Sequence, residues 1–470
     1  MKAIEAFLLP IVQTINAYMS DYVLIFLLVG CGLYFSFRTK FVQVRFFGEG
    51  MKKVFGGIFK KSEGKGGLSS FQALATAIAA QVGTGNIVGA CGAILVGGPG
   101  AIFWMWIIAF FGMATIYAEA TLAQETRIVK EDGSILGGPV YYIKKAYKGG
   151  FGKFLAGFFA VAIIIALGFI GSMVQSNSIG SAVETAFHIP SWVVGAALAV
   201  ICAIIFIGGI KRIASVAEKV VPFMAVIYLV VGLIILVINF KAIPGTFGMI
   251  FKYAFTPAAL IGGGAGAAIK AAISQGVKRG LFSNEAGMGS TPHAHAQADV
   301  KKPHDQGVVA MIGVFIDTFV VLTITALVVI STLYVGGDLG TKAGLAATLE
   351  EGVITKANLM QTAVGTALGN EALGNIIVAV CLTFFAFTTI ISWNFFGKQN
   401  VEYLFGKKAT IVYSVIAILA IFAGSLFQND LVWELADMFN NIMVIPNVLA
   451  LVPLGYIVVK CVKGAKNDKE

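Results

Sequence analysis

Charge is what this sequence most conspicuously lacks. Asp, Glu, Lys and Arg together make up 12% of its 470 residues, against 58% apolar ones. A soluble protein carries about 25% charged residues. The scarcity excludes an ordinary soluble chain and leaves a polytopic membrane protein. Cysteine is also scarce. Cys31, Cys91, Cys202, Cys381 and Cys461 lie in or beside apolar runs, without metal-ligand spacing and with no disulfide framework implied. The histidines, His188, His293, His295 and His304, form no zinc pattern with them. No His, Cys or carboxylate cluster has catalytic spacing, which argues against an enzyme. No filter motif is visible, which argues against a channel. Polar intervals reach only about 35 residues, so no soluble domain is expected. Met1 to Glu5 lack a signal-cleavage pattern, and the first hydrophobic segment is expected to remain.

Eleven membrane segments are expected: 12–37, 68–95, 101–122, 151–187, 192–207, 220–238, 258–276, 308–333, 376–396, 410–426 and 431–460. The last is long enough that Pro446 should kink or divide it. The net charge of +10 reports Lys and Arg on loops of one side rather than a nucleic-acid partner. Arg38, Lys40, Arg45, Lys52, Lys53, Lys60, Lys61 and Lys65 crowd the first loop, whose apolar spacing suggests a surface amphipathic helix. Loops after the odd-numbered segments repeat the bias, and those after even-numbered segments are poor in it. This puts the N-terminus outside and the C-terminus in the cytoplasm. The interval from Tyr334 to Gly374 is then external, and residues 343–351 and 354–368 read as short helices over an outer vestibule.

The chain is organised around Gln81-Val82-Gly83-Thr84-Gly85-Asn86 within the second segment. Helix formers precede it and apolar residues follow. Glycine is worth about 1 kcal/mol less than alanine inside a helix. Backbone groups freed in hydrocarbon cost several kcal/mol each unless a polar cavity or protein covers them. A break here offers free amides to an anion and free carbonyls to a cation. A close-packed small-residue seam would also use glycine. The adjacent Gln81, Thr84 and Asn86 favour the break.

The seventh segment is the second weak one. It opens with Gly262-Gly263-Gly264, reaches Ser274-Gln275-Gly276, and runs into a polar, glycine-rich stretch ending at Ser290. Segments two and seven each begin a block of five. Blocks of an odd number run in opposite membrane senses, so the reading is an inverted five-plus-five repeat with segment one extra. It rests on segment counting, with no residue identity visible between the halves. The ninth segment carries Thr383, Thr388, Thr389 and Ser392, with Phe385, Thr388, Thr389 and Ser392 on one face. Such oxygens suit a hard monovalent cation, although Thr and Ser also bond back to their own helix. Ionisable groups inside spans need partners. Glu119 and Glu434 are expected near membrane surfaces, while Asp317 sits deeper and reads equally as structural, cation-paired or part of a proton path. Asp437 is another such group. Arg279 and Glu285 would meet only across a bend, as a cytoplasmic gate.

Three motifs in order carry a family resemblance. They are Gly83-Thr84-Gly85-Asn86, the stretch Gly97-Gly98-Pro99-Gly100-Ala101-Ile102-Phe103-Trp104-Met105-Trp106 reaching Gly112, and the stretch from Gly280 to Ser290. Together they resemble the alanine or glycine sodium symporters, within the amino acid, polyamine and organocation transporters. The resemblance covers about residues 69–459, and length and segment count are close to those of the family's archaeal member. It implies an all-α polytopic membrane protein of eleven transmembrane helices with the leucine transporter's five-plus-five fold plus one N-terminal helix. The divisions would be 1–67, 68–240, 241–463 and a cytoplasmic tail 464–470. The implied function is sodium-coupled symport of alanine and glycine across the cell membrane by a monomer. A proton-coupled carrier of the same fold is the alternative. The resemblance places the amides of Thr84 and Gly85 at the substrate carboxylate, Gln81 and Asn86 beside it, and Ser274 and Gly276 near the amino group or side chain. Met173, Ile273 and Trp393 would limit its size. It gives one sodium ion the carbonyls of Ala79, Val82 and Phe385 and the hydroxyls of Thr388 and Thr389. Gln81 and Asn86 also match the leucine transporter's second sodium site, where Gln81 replaces a small residue, so a second ion stays open.

Overall fold

The computed structural model describes residues 2–57, 67–256, 265–341, 354–427 and 429–467. The described residues form helices and one two-residue antiparallel pair, β1 (Ile128–Val129) and β2 (Ile135–Leu136). The first long helix, α1 (Phe7–Arg38), is followed by the surface helix α2 (Phe47–Gly57). The expected amphipathic helix of the first loop is α2, and Lys60, Lys61 and Lys65 fall outside the described residues.

The organising stretch is a bent pair, α3 (Ser70–Gln81) and α4 (Gly85–Gly97), whose axes differ by 47°. The start of α3 is fixed by a reciprocal cap. Gln72 N–H donates to the Ser69 hydroxyl (3.1 Å), and Ser69 N–H donates to Gln72 Oε1 (3.1 Å). The next helices are α5 (Ala101–Thr126), α6 (Pro139–Ala146), α7 (Gly149–Phe187), α8 (Ser191–Ile207) and α9 (Gly209–Ile238). Helix α9 starts well before the expected Val220, because Ile210, Ile213, Ala214 and Ala217 give the preceding stretch an apolar face against α3.

Then come α10 (Ile243–Phe255), α11 (Ala265–Asn284), α12 (Pro303–Val335), α13 (Leu359–Leu368), α14 (Glu371–Phe405) and α15 (Ala409–Gly424). The glycine run 262–264 and the helix expected over 343–351 lie outside the described residues, whereas that expected over 354–368 begins at Leu359. A second bent pair ends the chain, α16 (Asn429–Leu451) and α17 (Gly455–Asn467), with 65° between the axes. Pro446 sits inside α16, so the expected division there is corrected. The bend falls at Val452-Pro453-Leu454, where Pro453 lacks the N–H needed to continue the helix.

Among the described residues, six helices are long and apolar enough to cross a membrane singly, and two bent pairs qualify as one span each. The chain is therefore a multi-pass membrane protein. Helix α5 packs against α1, α11 and α12, while α7 packs against α14 and α15. The two broken or weak elements, α3–α4 and α11, meet between these groups. Helices α7 and α12 both widen in π-helical stretches, at Ile164–Gly171 in α7 and at Phe315–Leu322 and Ile330–Val335 in α12. Such turns recur at functional sites.

Candidate functional site

At the first break the backbone finds side-chain partners. Gly83 N–H donates to Asn86 Oδ1 (3.0 Å), and Thr84 N–H donates to Gln175 Oε1 of α7 (3.2 Å). Gln81 Nε2 reaches the Asn284 carbonyl at the end of α11 (2.7 Å). Gln81, Thr84 and Asn86 are all buried. The oxygens Gln81 Oε1, Thr84 Oγ1, Ser176 Oγ and Ser392 Oγ are buried without a hydrogen-bond partner among the described residues. Such groups are costly to desolvate and suit a polar guest. Gly85 explains the close approach of α11. A Cβ there would lie 3.0 Å from Ser283 Cα and 3.2 Å from Phe282 Cδ1.

Helix α11 therefore faces the break with Phe282 and Ser283, not with the expected residues. It is unbroken through Ile273, Ser274 and Gly276. Gly276 is a seam glycine. A Cβ on it would sit 2.5 Å from Trp104 Cβ of α5. The discontinuity comes about two and a half turns later, after Asn284, where Glu285 (φ 58), Gly287 (φ 89) and Gly289 (φ 81) are left-handed. Met173 packs its backbone against Gly424 of α15. Trp393 is buried, lies edge-on to Phe282 (6.0 Å between centroids) and donates Nε1–H to Glu285 Oε1 (2.6 Å). Its ring lies against Gly171, whose Cβ would meet it at 2.6 Å.

Four of the expected oxygens, those of Ala79, Phe385, Thr388 and Thr389, are linked by hydrogen bonds between α3 and α14. Thr389 Oγ1 donates to the Ala79 carbonyl (2.9 Å) and lies 3.1 Å from the Phe385 carbonyl. Thr388 Oγ1 reaches the same Phe385 carbonyl (2.9 Å) and Met224 Sδ (3.6 Å). Val82 ends α3 with non-helical dihedrals (φ −81°, ψ 87°), which takes its carbonyl out of the helical pattern. The donor set is neutral oxygen, the chemistry of a hard monovalent ion. Thr383 bonds back to Ala379 (2.7 Å) and takes no part.

Asp317, in the π-helical turn of α12, is fully buried. It accepts from Asn86 Nδ2 (2.6 Å), Ser283 Oγ (2.9 Å) and Thr318 Oγ1 (2.8 Å), all neutral. Glu119 is fully buried within the protein too. Arg279 and Glu285 do not pair. Arg279 meets Asp437 of α16 (3.1 Å), and Lys278 meets Asp437 (2.8 Å) and Glu434 (3.7 Å). Arg279 and Lys356 both lie over the Trp433 ring, at 5.0 and 5.4 Å. Sequence separation hid these partners, although a polar run at Gln175 to Ser178 inside an apolar span marks α7 as a site helix.

The opposite end is closed by the connection after α11. Leu68 N–H donates to the Gln297 carbonyl (2.9 Å) and Asp299 N–H to the Leu68 carbonyl (2.8 Å). The Ile135 carbonyl accepts from Gln297 Nε2 (2.9 Å) and Gln399 Nε2 (3.3 Å). A cavity of about 400 Å³ lies beside this closure, lined by Leu68, Ile135, Gln297, Phe395 and Gln399 among others.

Comparison with known proteins gives the class. The profile described as the sodium:alanine symporter family matches residues 5–470. The chain is 42% identical to the sodium/alanine symporter AgcS of Methanococcus maripaludis, over 97% of this chain and 96% of that protein. It is 40% identical to a putative sodium/proton-dependent alanine carrier protein, YrbD, of Bacillus subtilis, over 98% and 93%. Among solved structures, MhsT in complex with L-phenylalanine shares the fold, with a TM-score of 0.58 at 14% identity over 85% of this chain and 99% of that one.

Proposed function

Since the chain belongs to the sodium:alanine symporter family and is a sodium-coupled small-amino-acid carrier rather than an enzyme, we propose that alanine and glycine bind at the first helix break with one sodium ion beside them. The observation that carries this reading is the convergence of the Thr389 hydroxyl with the Ala79 and Phe385 carbonyls, within 3.1 Å, next to Gly83 and Thr84. Sodium takes the oxygens of Ala79, Val82, Phe385, Thr388 and Thr389. The Thr84 and Gly85 amides take the carboxylate, helped by the positive end of α4.

A zwitterion is costly to bury unless both charges are met. Gln81, Asn86 and the unpartnered hydroxyls of Ser176 and Ser392 supply the oxygens for the ammonium. Trp393 and Phe282 close the space for a side chain, which favours alanine and glycine over larger residues. Ser274 and Gly276 take no direct part in this version of the site.

The proposed architecture is eleven transmembrane helices, an inverted five-plus-five repeat with α1 extra. Its divisions are 1–67, 68–240, 241–463 and 464–470, the N-terminus is outside, and a monomer suffices. In this orientation Arg279, with Asp437, belongs to the outer closure rather than to the cytoplasmic gate expected of it with Glu285, and the Leu68–Gln297 closure is cytoplasmic. Sodium must raise amino-acid affinity, and by linkage the amino acid must raise sodium affinity equally. Rocking of one helix group against the other then exposes the site to the cytoplasm.

The test is alanine uptake into liposomes holding the purified protein, in sodium and then in choline or potassium at fixed pH. Concentrative uptake only in sodium, lost in Thr389→Ala, supports the reading. Equal uptake in all three salts sinks it. A second reading rests on Asp317, a buried carboxylate whose side-chain partners are all neutral, and on a relative named for both sodium and protons. In that reading Asp317 carries a coupled proton, and a pH gradient drives uptake without sodium.

A further inference from the structure

Glu119 of α5 has a part in this site that its position in the sequence does not suggest. Its Oε2 accepts the Gly287 N–H (3.0 Å), and its Oε1 accepts the Gly289 N–H (3.0 Å) and Asn447 Nδ2 (2.6 Å). Asn447, on α16, also donates Nδ2 to the Gly287 carbonyl (2.8 Å) and accepts the Tyr142 hydroxyl at Oδ1 (2.5 Å). Gly287 and Gly289 are both left-handed, so their amides point away from the helical pattern that ends at Asn284. Successive amides freed in this way form an anion-binding concavity. Here the group that fills it is the protein's own Glu119 carboxyl, whose oxygens accept all three N–H bonds. The packing leaves no slack. A Cβ at Gly289 would lie 2.9 Å from Asn447 Cγ, and one at Gly287 would lie 2.8 Å from Leu28 Cδ2.

The consequence runs one turn back along α11 to Phe282 and Ser283, which face Gly85. One turn before them, α11 is held at Asp437 by Lys278 and Arg279. On its other side it is held by the Glu119–Asn447 clasp. Asp437 and Asn447 belong to the same helix, α16. We infer that Glu119 is a positioning residue for transport: it sets where Phe282 and Ser283 stand opposite the first break, and through Asn447 it ties that placement to α16. Glu119 itself does not touch the amino acid. The inference rests on the proposed substrate site.

The experiment uses the purified full chain and the variants Glu119→Gln, Glu119→Asp and Glu119→Gln/Asn447→Asp. Glutamine has the same shape but one acceptor oxygen, and its amide opposes an N–H. Aspartate keeps the charge but is one methylene too short to span both glycine amides. Alanine binding at saturating sodium is measured by radioligand titration. Sodium binding alone is read from the thermal midpoint in sodium against choline chloride. Both single variants should weaken alanine binding, Glu119→Gln about tenfold or more. The sodium response, which belongs to α3 and α14, should stay parental. The double variant should recover no more than part of the loss: the carboxylate introduced on α16 can accept from the glutamine amide, but it leaves the Gly287 carbonyl without its donor. A merely structural residue would lower the midpoint and leave the alanine affinity of the folded protein alone. Parental alanine affinity in folded Glu119→Gln overturns the inference; if that variant does not fold, parental affinity in Glu119→Asp does the same. A parent that binds no small amino acid in sodium overturns the proposed function, and this inference with it. A parent that binds while the variants bind equally well overturns this inference alone.

Discussion

Gly83→Ala is the sharpest probe of the cation site. The backbone at Gly83 is not left-handed, so alanine fits its dihedrals. What does not fit is the methyl group. Its carbon would lie 2.4 Å from Thr389 Oγ1, 3.2 Å from Gln175 Oε1 and 3.3 Å from Thr389 Cβ. The hydroxyl must retreat by roughly 1 Å to reach ordinary contact. It then leaves the Ala79 and Phe385 carbonyls it now joins. Losing one polar contact to an ion costs about 1.5–3 kcal/mol, or about 10- to 150-fold in sodium affinity. By linkage, apparent alanine affinity falls by a similar factor in low sodium and is regained at saturating sodium. The assay is alanine uptake into liposomes across a sodium titration. A half-saturating sodium concentration within about twofold of the parent, in folded Gly83→Ala, would refute the reasoning.

Three further outcomes separate the roles assigned above. Gly276→Ala should lower the thermal midpoint through the α5–α11 seam, at a cost of about 1–3 kcal/mol, and leave alanine affinity near parental. Gly85→Ala, with Ser283 Cα only 3.0 Å from the new carbon, should instead abolish alanine binding while the sodium-dependent thermal shift persists. Asp437→Asn leaves Lys278 and Arg279 without their shared carboxylate, and breaking a buried pair in this way costs about 3–5 kcal/mol. Thiol reagents added outside should then label a cysteine placed at Trp433 faster than in the parent background, and unchanged labelling would count against an outer closure there.

The first break was legible because four kinds of signal coincide in six residues: two glycines, two amide side chains, a hydroxyl and apolar flanks on both sides. The second was misplaced for a physical reason. Glycine serves both to free a backbone and to let two helices touch, and the sequence at Gly276 does not say which. Its neighbour Trp104 decides, and Trp104 is far away in the chain. Pro446 and Pro453 posed the same problem, since a long helix tolerates one proline and stops at another. Arg279 looked toward Glu285 because the two are close in sequence, but Asp437 and Trp393 claim them from other helices. Gln175, which touches the backbone of the break from another helix, shows in the sequence only as part of a polar run inside an apolar span, with nothing to name its partner.

The bond from Thr84 N–H to Gln175 also bears on the unloaded half of the cycle. On the proposed reading, an arriving carboxylate does not meet a bare amide. It exchanges with a side chain that already satisfies it, so the net gain per contact is the modest difference between two hydrogen bonds. When the cargo leaves, Gln175 takes the amide back. The vacant carrier thus returns across the membrane without an exposed donor in its interior, and neither the loaded nor the empty form becomes a trap. A receptor would be selected for the deepest well; this arrangement suits a protein that must let go.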